Sequence, residues 1–223
     1  MFRNDVGAVS IESPVRRADN AVVPIEVIRD ISAYCKEQGY GLHLDGARLH
    51  LASNWTGISI ETYASYFDSV YISQYKLLNA AYGAILCGSA ELIDRLPHQN
   101  KILGGMMLHN WMATAMSLYH LRTIDEDLKK TREAAQKLIS LLNGLNELTF
   151  TPVEFGTNIY HLQIAGSVDR QKLSSALLED HNIWIRLPSE GDVIKFKVNP
   201  SILRRPVDEI LEAWKTSLEV AGQ

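Results

Sequence analysis

The order of three segments near the start of the chain constrains the fold most strongly: an apolar run, an amphipathic helix and a second apolar run. Residues 6–12, VGAVSIE, have the composition of a short buried strand. Apolar residues then recur at helical spacing from Ile25, with Pro24 at the first turn and Gly39 at the end. LHLD at 42–45 predicts a second strand. Because a helix connects the two strands, they are expected to be parallel members of an α/β sheet.

Two more strands and several helices are predicted before the middle of the chain. DSVYISQY (68–75) alternates between apolar and polar residues, as a half-buried strand does, and YGAILCG (82–88) predicts another strand. A helix is expected over 58–67, and SAELIDRL has a capping pattern that opens a further helix. Past a pair of glycines, residues 106–145 have a long helical pattern with a break near 123–125.

The composition changes after Gly144 and indicates a second domain. Helices are expected at about 169–180 and 206–220. Four short strands are predicted around these helices, in the segments LTFTPV, NIYHLQI, IWIRLP and VIKFKVN. The chain is therefore expected to hold one domain over 1–122 and a small α+β C-terminal domain, with its linking helix, over 123–223.

Charge and composition narrow the function classes. The formal net charge is −4 and no basic run is present, which argues against nucleic acid as a partner. No segment approaches the roughly 18 apolar residues of a membrane span, and the start lacks the apolar stretch of a signal peptide. Cys35 and Cys87 have no metal-binding or redox spacing and are expected to be reduced core residues. A soluble, cytoplasmic protein without a metal site is expected.

Two polar side chains stand where ligands bind in α/β sheets, at the carboxyl ends of predicted strands. Asp45 ends LHLD, and Lys76 follows DSVYISQY in the company of Leu77 and Leu78. Apolar surroundings favour the neutral, nucleophilic amine. Two interpretations stay open from the residues alone. One is a structural ion pair; the other is a pyridoxal phosphate site, with a lysine for the aldehyde and a carboxylate for the ring nitrogen.

Several motifs occur in the order found in one enzyme family. HLDGARL at 43–49 resembles the cofactor-binding strand of the threonine aldolases, within the β-eliminating lyase group of fold-type-I pyridoxal-phosphate enzymes. IESPVRRADNAVVP resembles that family's loop before the helix, and DSVYISQYK its lysine-bearing strand. YGAILCGS resembles the next strand, and LGG at 103–105 the glycine turn before the long helices. The resemblance covers most of residues 6–125, whereas the last part of the chain matches only in layout.

The resemblance implies a fold and a reaction. Residues 1–122 would be a partial large cofactor-binding domain, a mostly parallel sheet with helices as in fold-type-I PLP-dependent transferases. Residues 123–223 would be the small C-terminal domain. The implied cofactor is pyridoxal 5'-phosphate, and the implied activity is that of a lyase on a small amino acid. Aldol cleavage of a β-hydroxy-amino acid to glycine and an aldehyde is the first expectation, and β-elimination on the same cofactor stays open. A homo-oligomer, a dimer or a tetramer, is expected.

The resemblance also implies residue roles. Lys76 and Asp45 would be the catalytic residues: Lys76 would bond to the cofactor's aldehyde carbon, and Asp45 would pair with its pyridine nitrogen. Arg48 would lie near the cofactor's phenolic oxygen and the substrate carboxylate. Lys195 is nearest to the family's substrate-binding strand arginine, with Arg186 as a second candidate; a solvated strand face is the alternative for Lys195. His43 is expected to support its strand rather than to react.

Some positions depart from the family pattern. Tyr75 stands where the family usually has a serine, and Leu108 and His109 stand where it often has an arginine and a glutamine. Because the family's catalytic domain normally starts well before this motif, the chain is expected to be the C-terminal portion of a longer enzyme and to bind the cofactor poorly alone. The alternative is a non-catalytic remnant that acts as an interaction subunit. Trp111 and the nearby methionines are expected in the core or at a subunit interface.

Overall fold

The computed structural model describes residues 5–107, 109–188, 191 and 193–222, so Leu108 lies outside the described residues. The chain divides into two units, Met1–Glu126 and Asp127–Gln223. In chain order, the first unit contains β1 (Ala8–Glu12), α1 (Ile25–Gln38), β2 (Gly41–Asp45), α2 (Leu49–Thr56), α3 (Ile60–Ala64), β3 (Ser69–Ser73), β4 (Ala84–Gly88), α4 (Ala90–Ile102) and α5 (Trp111–Leu121). Helix α6 (Ile124–Leu142) contains the boundary between the units.

The sheet of the first unit has the strand order β1-β2-β3-β4. β1, β2 and β3 are parallel, and β4 is antiparallel to β3. The predicted parallel pairing of the first two strands is confirmed, and so is the α/β class with a mostly parallel sheet, helices and a smaller second sheet. The parallel pairs matter for function because they bring the carboxyl ends of three strands to one edge of the sheet.

Helix α1 connects β1 to β2, and the local sequence determines where this crossover helix begins and ends. Pro24 occupies the amino-terminal cap, where its missing N–H leaves no hydrogen bond unmade. Ile28, Ser32 and Cys35 are the buried residues, at the spacing of one helical face. Gly39 ends the helix with a φ of 70°, a left-handed conformation in which a side chain would be strained.

Strand β2 places its two kinds of residue on opposite faces of the sheet. Leu42 and Leu44 are 3% and 0% exposed, whereas His43 and Asp45 between and after them are only half-buried. Leu44 packs in a cluster of buried side chains that consists of Val22, Ile28, Leu44, Leu49, Ala52, Tyr63 and Val70. One face of the sheet therefore forms the core of the first unit, and the other carries the polar residues.

The second unit is built on a three-stranded antiparallel sheet in the order β5-β6-β7. Its elements after α6 are β5 (Leu148–Pro152), β6 (Ile159–Ile164), α7 (Arg170–Glu179), β7 (Ile194–Lys197), a short 3-10 helix (Pro200–Arg204) and α8 (Val207–Ala221). Trp214 of α8 is 1% exposed and makes edge-to-face contacts with Phe150 and Phe196. In the part of the chain that the structure describes, no helix is long and apolar enough to cross a membrane.

The prediction that IWIRLP forms a fourth strand of the second unit is wrong. Residues 183–188 are irregular, because their backbone groups bond to α7 instead of a neighbouring strand. The N–H of Ile183 donates to the carbonyl of Leu177 at 2.8 Å. The Ser174 hydroxyl donates to the carbonyl of Ile185 at 3.1 Å. Because the carbonyl of Ile185 accepts this hydrogen bond from α7, the segment does not form strand hydrogen bonds with β7.

Two burial predictions and one helix prediction also need correction. Cys87 is exposed rather than part of the core, because β4 is an edge strand that is exposed at all five positions. Trp111 is 69% exposed and Met112 is 50% exposed, so these residues do not lie in the core, and the alternative of a subunit interface stays a prediction. The helix expected over 58–67 is limited to α3. Helix α2, which begins at the last residue of HLDGARL, is not predicted from the sequence.

Removal of the Leu44 side chain tests the core of the first unit. We expect Leu44→Ala to lower the free energy of unfolding by about 2–5 kcal/mol, because it deletes fully buried methyl groups and leaves a cavity. Hydrogen exchange of the β2 and β3 amides measures the loss within this unit. The matched control is Leu103→Ala, in which the side chain is 82% exposed. Equal losses of protection in the two variants would contradict this assignment of the core.

Candidate active site

The parallel register brings three polar residues side by side at the carboxyl edge of the first sheet. Glu12 of β1 pairs with Asp45 of β2, and Asp45 pairs with Tyr71 of β3. Paired residues of neighbouring parallel strands point to the same face. Asp45 is therefore flanked on one side by a carboxylate and on the other by a phenol, on the face opposite the apolar core.

Asp45 is held by backbone groups rather than by an ion pair. Its Oδ1 accepts a hydrogen bond from the N–H of Ala47 at 3.1 Å, and its backbone carbonyl accepts one from the N–H of Ser13 at 3.1 Å. No ion pair joins Asp45 to Lys76, both of which the structure describes, so the interpretation as a structural ion pair is wrong. A carboxylate has about four lone-pair sites, so Asp45 keeps capacity for a further donor.

Arg48 stands immediately before α2, at its amino-terminal cap position. Its backbone carbonyl accepts the first helical hydrogen bond, from the N–H of Leu51 at 2.9 Å, while its side chain is half-buried. Within the described segments of the chain, no ion pair includes Arg48. The guanidinium is thus a half-buried cation three residues along the chain from Asp45, with donors for an anionic oxygen.

Lys76 lies in a loop that leaves β3 and returns to β4. The N–H of Gln74 donates to the carbonyl of Gly83 at 3.1 Å, and the N–H of Ala80 donates to the carbonyl of Gln74 at 3.1 Å. Gly83 has a φ of 101°, and a Cβ there would overlap Oε1 of Gln74. The loop is therefore closed at its base by a turn that requires glycine, and it presents Lys76 half-buried at the carboxyl end of β3.

Tyr75 lies beside the lysine and is itself in contact with Tyr71. The Nζ of Lys76 lies 5.4 Å from the centre of the Tyr75 ring, within the range of a cation–π contact. The positive charge of Lys76, together with a hydrogen bond from Tyr71, lowers the pKa of the Tyr75 phenol. Burial raises the pKa of Tyr71, and the neighbouring Tyr75 phenol and the Asp45 charge raise it further. The site therefore separates two like groups into a phenol that keeps its proton and a phenol that releases its proton more readily.

His43 links the strands of this site. Its Nδ1 lies 2.8 Å from the hydroxyl of Ser69, with which it is paired in the β2–β3 register. The bond joins the strand that carries Asp45 to the strand that leads to Lys76. This contact supports the prediction that His43 stabilises its strand rather than reacts.

The structure places the predicted site residues in two groups. Asp45, Arg48 and Lys76 belong to the carboxyl edge of the first sheet, whereas Lys195 and the second candidate, Arg186, belong to the second unit and line one cavity there. Among the residues that the structure describes, no group of three or more His, Cys, Asp and Glu side chains could hold a metal ion.

Tyr71 was missed from the sequence. The alternation of Ser69, Tyr71 and Ser73 in DSVYISQY was the available signal, because it marks a polar face of that strand. The contact of Tyr71 with Tyr75 and its pairing with Asp45 depend on the register between β2 and β3, which the sequence does not specify.

Comparison with known proteins identifies the family. The family model of the beta-eliminating lyases matches residues 1–165 of this chain. The chain belongs to the beta-eliminating lyase family. Its members and the threonine aldolases related to this chain are pyridoxal-phosphate-dependent lyases of fold type I, so the resemblance found in HLDGARL and its neighbouring motifs is confirmed.

Proteins similar to this chain include two from fungi. A "Low-specificity L-threonine aldolase" of Candida albicans is 44% identical over 109 residues, which cover 49% of this chain and 28% of that protein. A Schizosaccharomyces pombe protein named "Probable low-specificity L-threonine aldolase" is 28% identical over 203 residues, 91% of this chain and 53% of that protein. A crystal structure from Exiguobacterium sp. 255-15 shares the fold, with a TM-score of 0.81 and 24% identity over 96% of this chain and 62% of that chain. The chain thus spans at most about half of the length of these two curated relatives.

The side chains at the sheet edge fit pyridoxal phosphate, the cofactor that the family implies. The cofactor has an aldehyde, a basic ring nitrogen and an anionic phenolic oxygen, which require an amine, a carboxylate and a cation respectively. Lys76, Asp45 and Arg48 supply this set of groups from the carboxyl ends of neighbouring strands. Asp45 also has the unused acceptor capacity that a protonated ring nitrogen needs.

The lowered pKa of Tyr75 gives a direct test of the charge arrangement. We expect Lys76→Met to raise the pKa of Tyr75, because the phenolate loses the nearby cation that stabilises it. Ultraviolet titration of the tyrosines, with Tyr75→Phe to assign the signal, measures the change. Lys76→Arg is the matched control, since it keeps the positive charge and should keep the pKa low. A Tyr75 pKa that is the same in the Met and Arg variants would contradict the electrostatic account.

Proposed function

We propose that the protein to which this chain belongs cleaves β-hydroxy-α-amino acids by a retro-aldol reaction, with pyridoxal 5'-phosphate as cofactor and glycine and an aldehyde as products. The observation that carries the proposal is the convergence of Asp45 and Lys76 at one edge of the parallel sheet, flanked by Arg48. The family and the names of the relatives in Candida albicans and Schizosaccharomyces pombe support it.

Each residue has a defined task in this proposal. When bound, pyridoxal phosphate supplies an electron sink for negative charge at the substrate's α-carbon. Asp45 holds a proton at the ring nitrogen, which keeps the ring positively charged. Lys76 would hold the cofactor at its aldehyde carbon through the side-chain amine. The hydrogen bond from the Ala47 N–H orients the carboxylate of Asp45 without neutralising its charge, and the Ser13 N–H holds the backbone carbonyl of Asp45.

Arg48 and Lys195 are proposed to contact the substrate. Arg48 donates to the phenolic oxygen of the cofactor and to the substrate carboxylate, for which its planar guanidinium is suited. Lys195 is proposed as a further partner of the substrate carboxylate. A lysine offers a point charge rather than the two parallel hydrogen bonds of an arginine, so this contact is weaker than the one an arginine makes.

A partner-binding role is the second candidate function, and the exposed apolar residues of α5 favour it. Trp111 and Tyr119 are 69% and 70% exposed, and Leu118 between them is 54% exposed. Apolar surface of this kind is typical of protein interfaces.

We propose that the protein is a cytoplasmic homo-oligomer. The alternative reaction is β-elimination on the same cofactor. The alternative to an enzyme is a non-catalytic interaction subunit.

Product analysis distinguishes the reactions. We expect the protein to which this chain belongs, supplied with pyridoxal phosphate and threonine, to release acetaldehyde and glycine in equal amounts, because aldol cleavage breaks the bond between the α- and β-carbons. Lys76→Ala should lower the rate at least about a hundredfold, the size of effect seen when a positioned acid–base group is removed. The exposed Lys101→Ala is the matched control and should keep the rate of the unmodified chain.

Two results would contradict the proposal. Release of 2-oxobutanoate and ammonia as the main products would show elimination instead of aldol cleavage. Equal rates in the variants of Lys76 and Lys101 would mean that Lys76 does not take part in the reaction.

A further inference from the structure

Tyr75 is an exposed member of the group of side chains at the carboxyl edge of the first sheet. It is 49% exposed, whereas Tyr71 and Lys76 beside it are half-buried. The loop that is closed through Gln74 places Tyr75 immediately before the lysine. The proposed lyase reaction gives Tyr75 no task, although molecules in solution can reach its phenol.

Two neighbours favour the ionised form of the Tyr75 phenol. The Nζ of Lys76 lies 5.4 Å from the centre of the ring, and its positive charge lowers the pKa of Tyr75. The contact with Tyr71 acts in the same direction, because an O–H group that donates to the Tyr75 oxygen stabilises its anion. A cation and a hydrogen-bond donor therefore converge on one exposed oxygen.

Tyr71 remains a donor because its surroundings oppose its own ionisation. Burial raises the pKa of Tyr71, and the neighbouring Tyr75 phenol and the Asp45 charge raise it further. The pairing of Tyr71 with Asp45 in the register of β2 and β3 holds the donor in place. The fold thus assigns the proton to the half-buried phenol and leaves the exposed phenol as the one that ionises.

We propose that Tyr75 is a second nucleophilic site of this chain, at which the phenolic oxygen takes a sulfonyl or acyl group from an activated donor. The ammonium group of Lys76 stabilises the phenolate before the attack. Its N–H groups can also donate to the negative charge that develops on an oxygen of the donor. The inference concerns the chain without cofactor and does not rest on the proposed lyase reaction.

The reaction with a sulfonyl fluoride illustrates the covalent step. Solvent water takes the phenolic proton, and the Tyr75 oxygen then forms a bond to the sulfur atom. The sulfur–fluorine bond breaks, and fluoride leaves with the bonding electron pair. The product is a sulfonate ester of Tyr75, and the step involves no oxidation or reduction. An acyl donor reacts in the same way at its carbonyl carbon.

Site-specific mass spectrometry of the cofactor-free full chain tests this inference, with benzenesulfonyl fluoride as the probe at neutral pH. We expect Tyr75 to be labelled about three- to tenfold faster than Tyr34 and Tyr119, because a cation stabilises its reactive form. Tyr34 and Tyr119 are 56% and 70% exposed, so access alone predicts that they react at least as fast as Tyr75. Lys76→Gln should lower the labelling rate of Tyr75 to that of Tyr34.

Lys101→Gln is the matched control, because it removes an exposed positive charge from the last turn of α4. This variant should keep the labelling rate of Tyr75, and thermal unfolding verifies that both lysine variants are folded. The comparison of Tyr75 with Tyr34 in the unmodified chain tests the inference without either variant. The inference is overturned if Tyr75 reacts no faster than Tyr34 and Tyr119, if the label forms on Lys76 in place of Tyr75, or if both lysine variants slow the labelling equally.

Discussion

Parallel pairing of β1, β2 and β3 is the constraint on which the candidate site depends. It brings the carboxyl ends of three strands to one edge, and the register Glu12–Asp45–Tyr71 then fixes which side chains meet there. A slip of one residue in β2 would move Asp45 to the core face and Leu44 to the polar face. The buried cluster around Leu44 therefore stabilises the site as well as the fold, because it specifies the register.

The chemistry of the candidate site depends on a fold that does not pair the carboxylate of Asp45 with the amine of Lys76. Asp45 is bonded to backbone N–H groups, and Lys76 is held in a closed loop beside Tyr75, without an ion pair between them. A direct ion pair would satisfy both groups and leave neither available for a ligand. The arrangement instead keeps one acid and one amine for different ends of a bound ring, which is the pattern of a pyridoxal phosphate site.

The sequence was informative where local signals and the global fold agree. Pro24 and Gly39 delimit α1, and the apolar alternation of LHLD predicts β2 with the correct faces. The errors arose where neighbouring elements decide the outcome. IWIRLP has the composition of a strand, but its backbone bonds to α7, and Cys87 has apolar neighbours but lies on an edge strand. Such competition depends on contacts between distant parts of the chain.

Some residues of the candidate site can likewise be predicted from local sequence signals, whereas others depend on contacts between distant parts of the chain. Asp45 and Lys76 were found from their positions after predicted strands, whereas the phenol pair depends on the register, which only the assembled sheet specifies. The cavity of the second unit likewise combines residues from 138 to 214 that no local pattern connects.

The most direct test of the central claim is the position of the covalent cofactor bond. The chain is saturated with pyridoxal phosphate, reduced with borohydride, digested, and its modified peptides are identified by mass spectrometry. The account predicts one dominant label on Lys76, because, among the lysines that the structure describes, this amine lies in the closed loop at the sheet edge that carries Asp45. A label distributed over exposed lysines, with Lys76 unmodified, would contradict it.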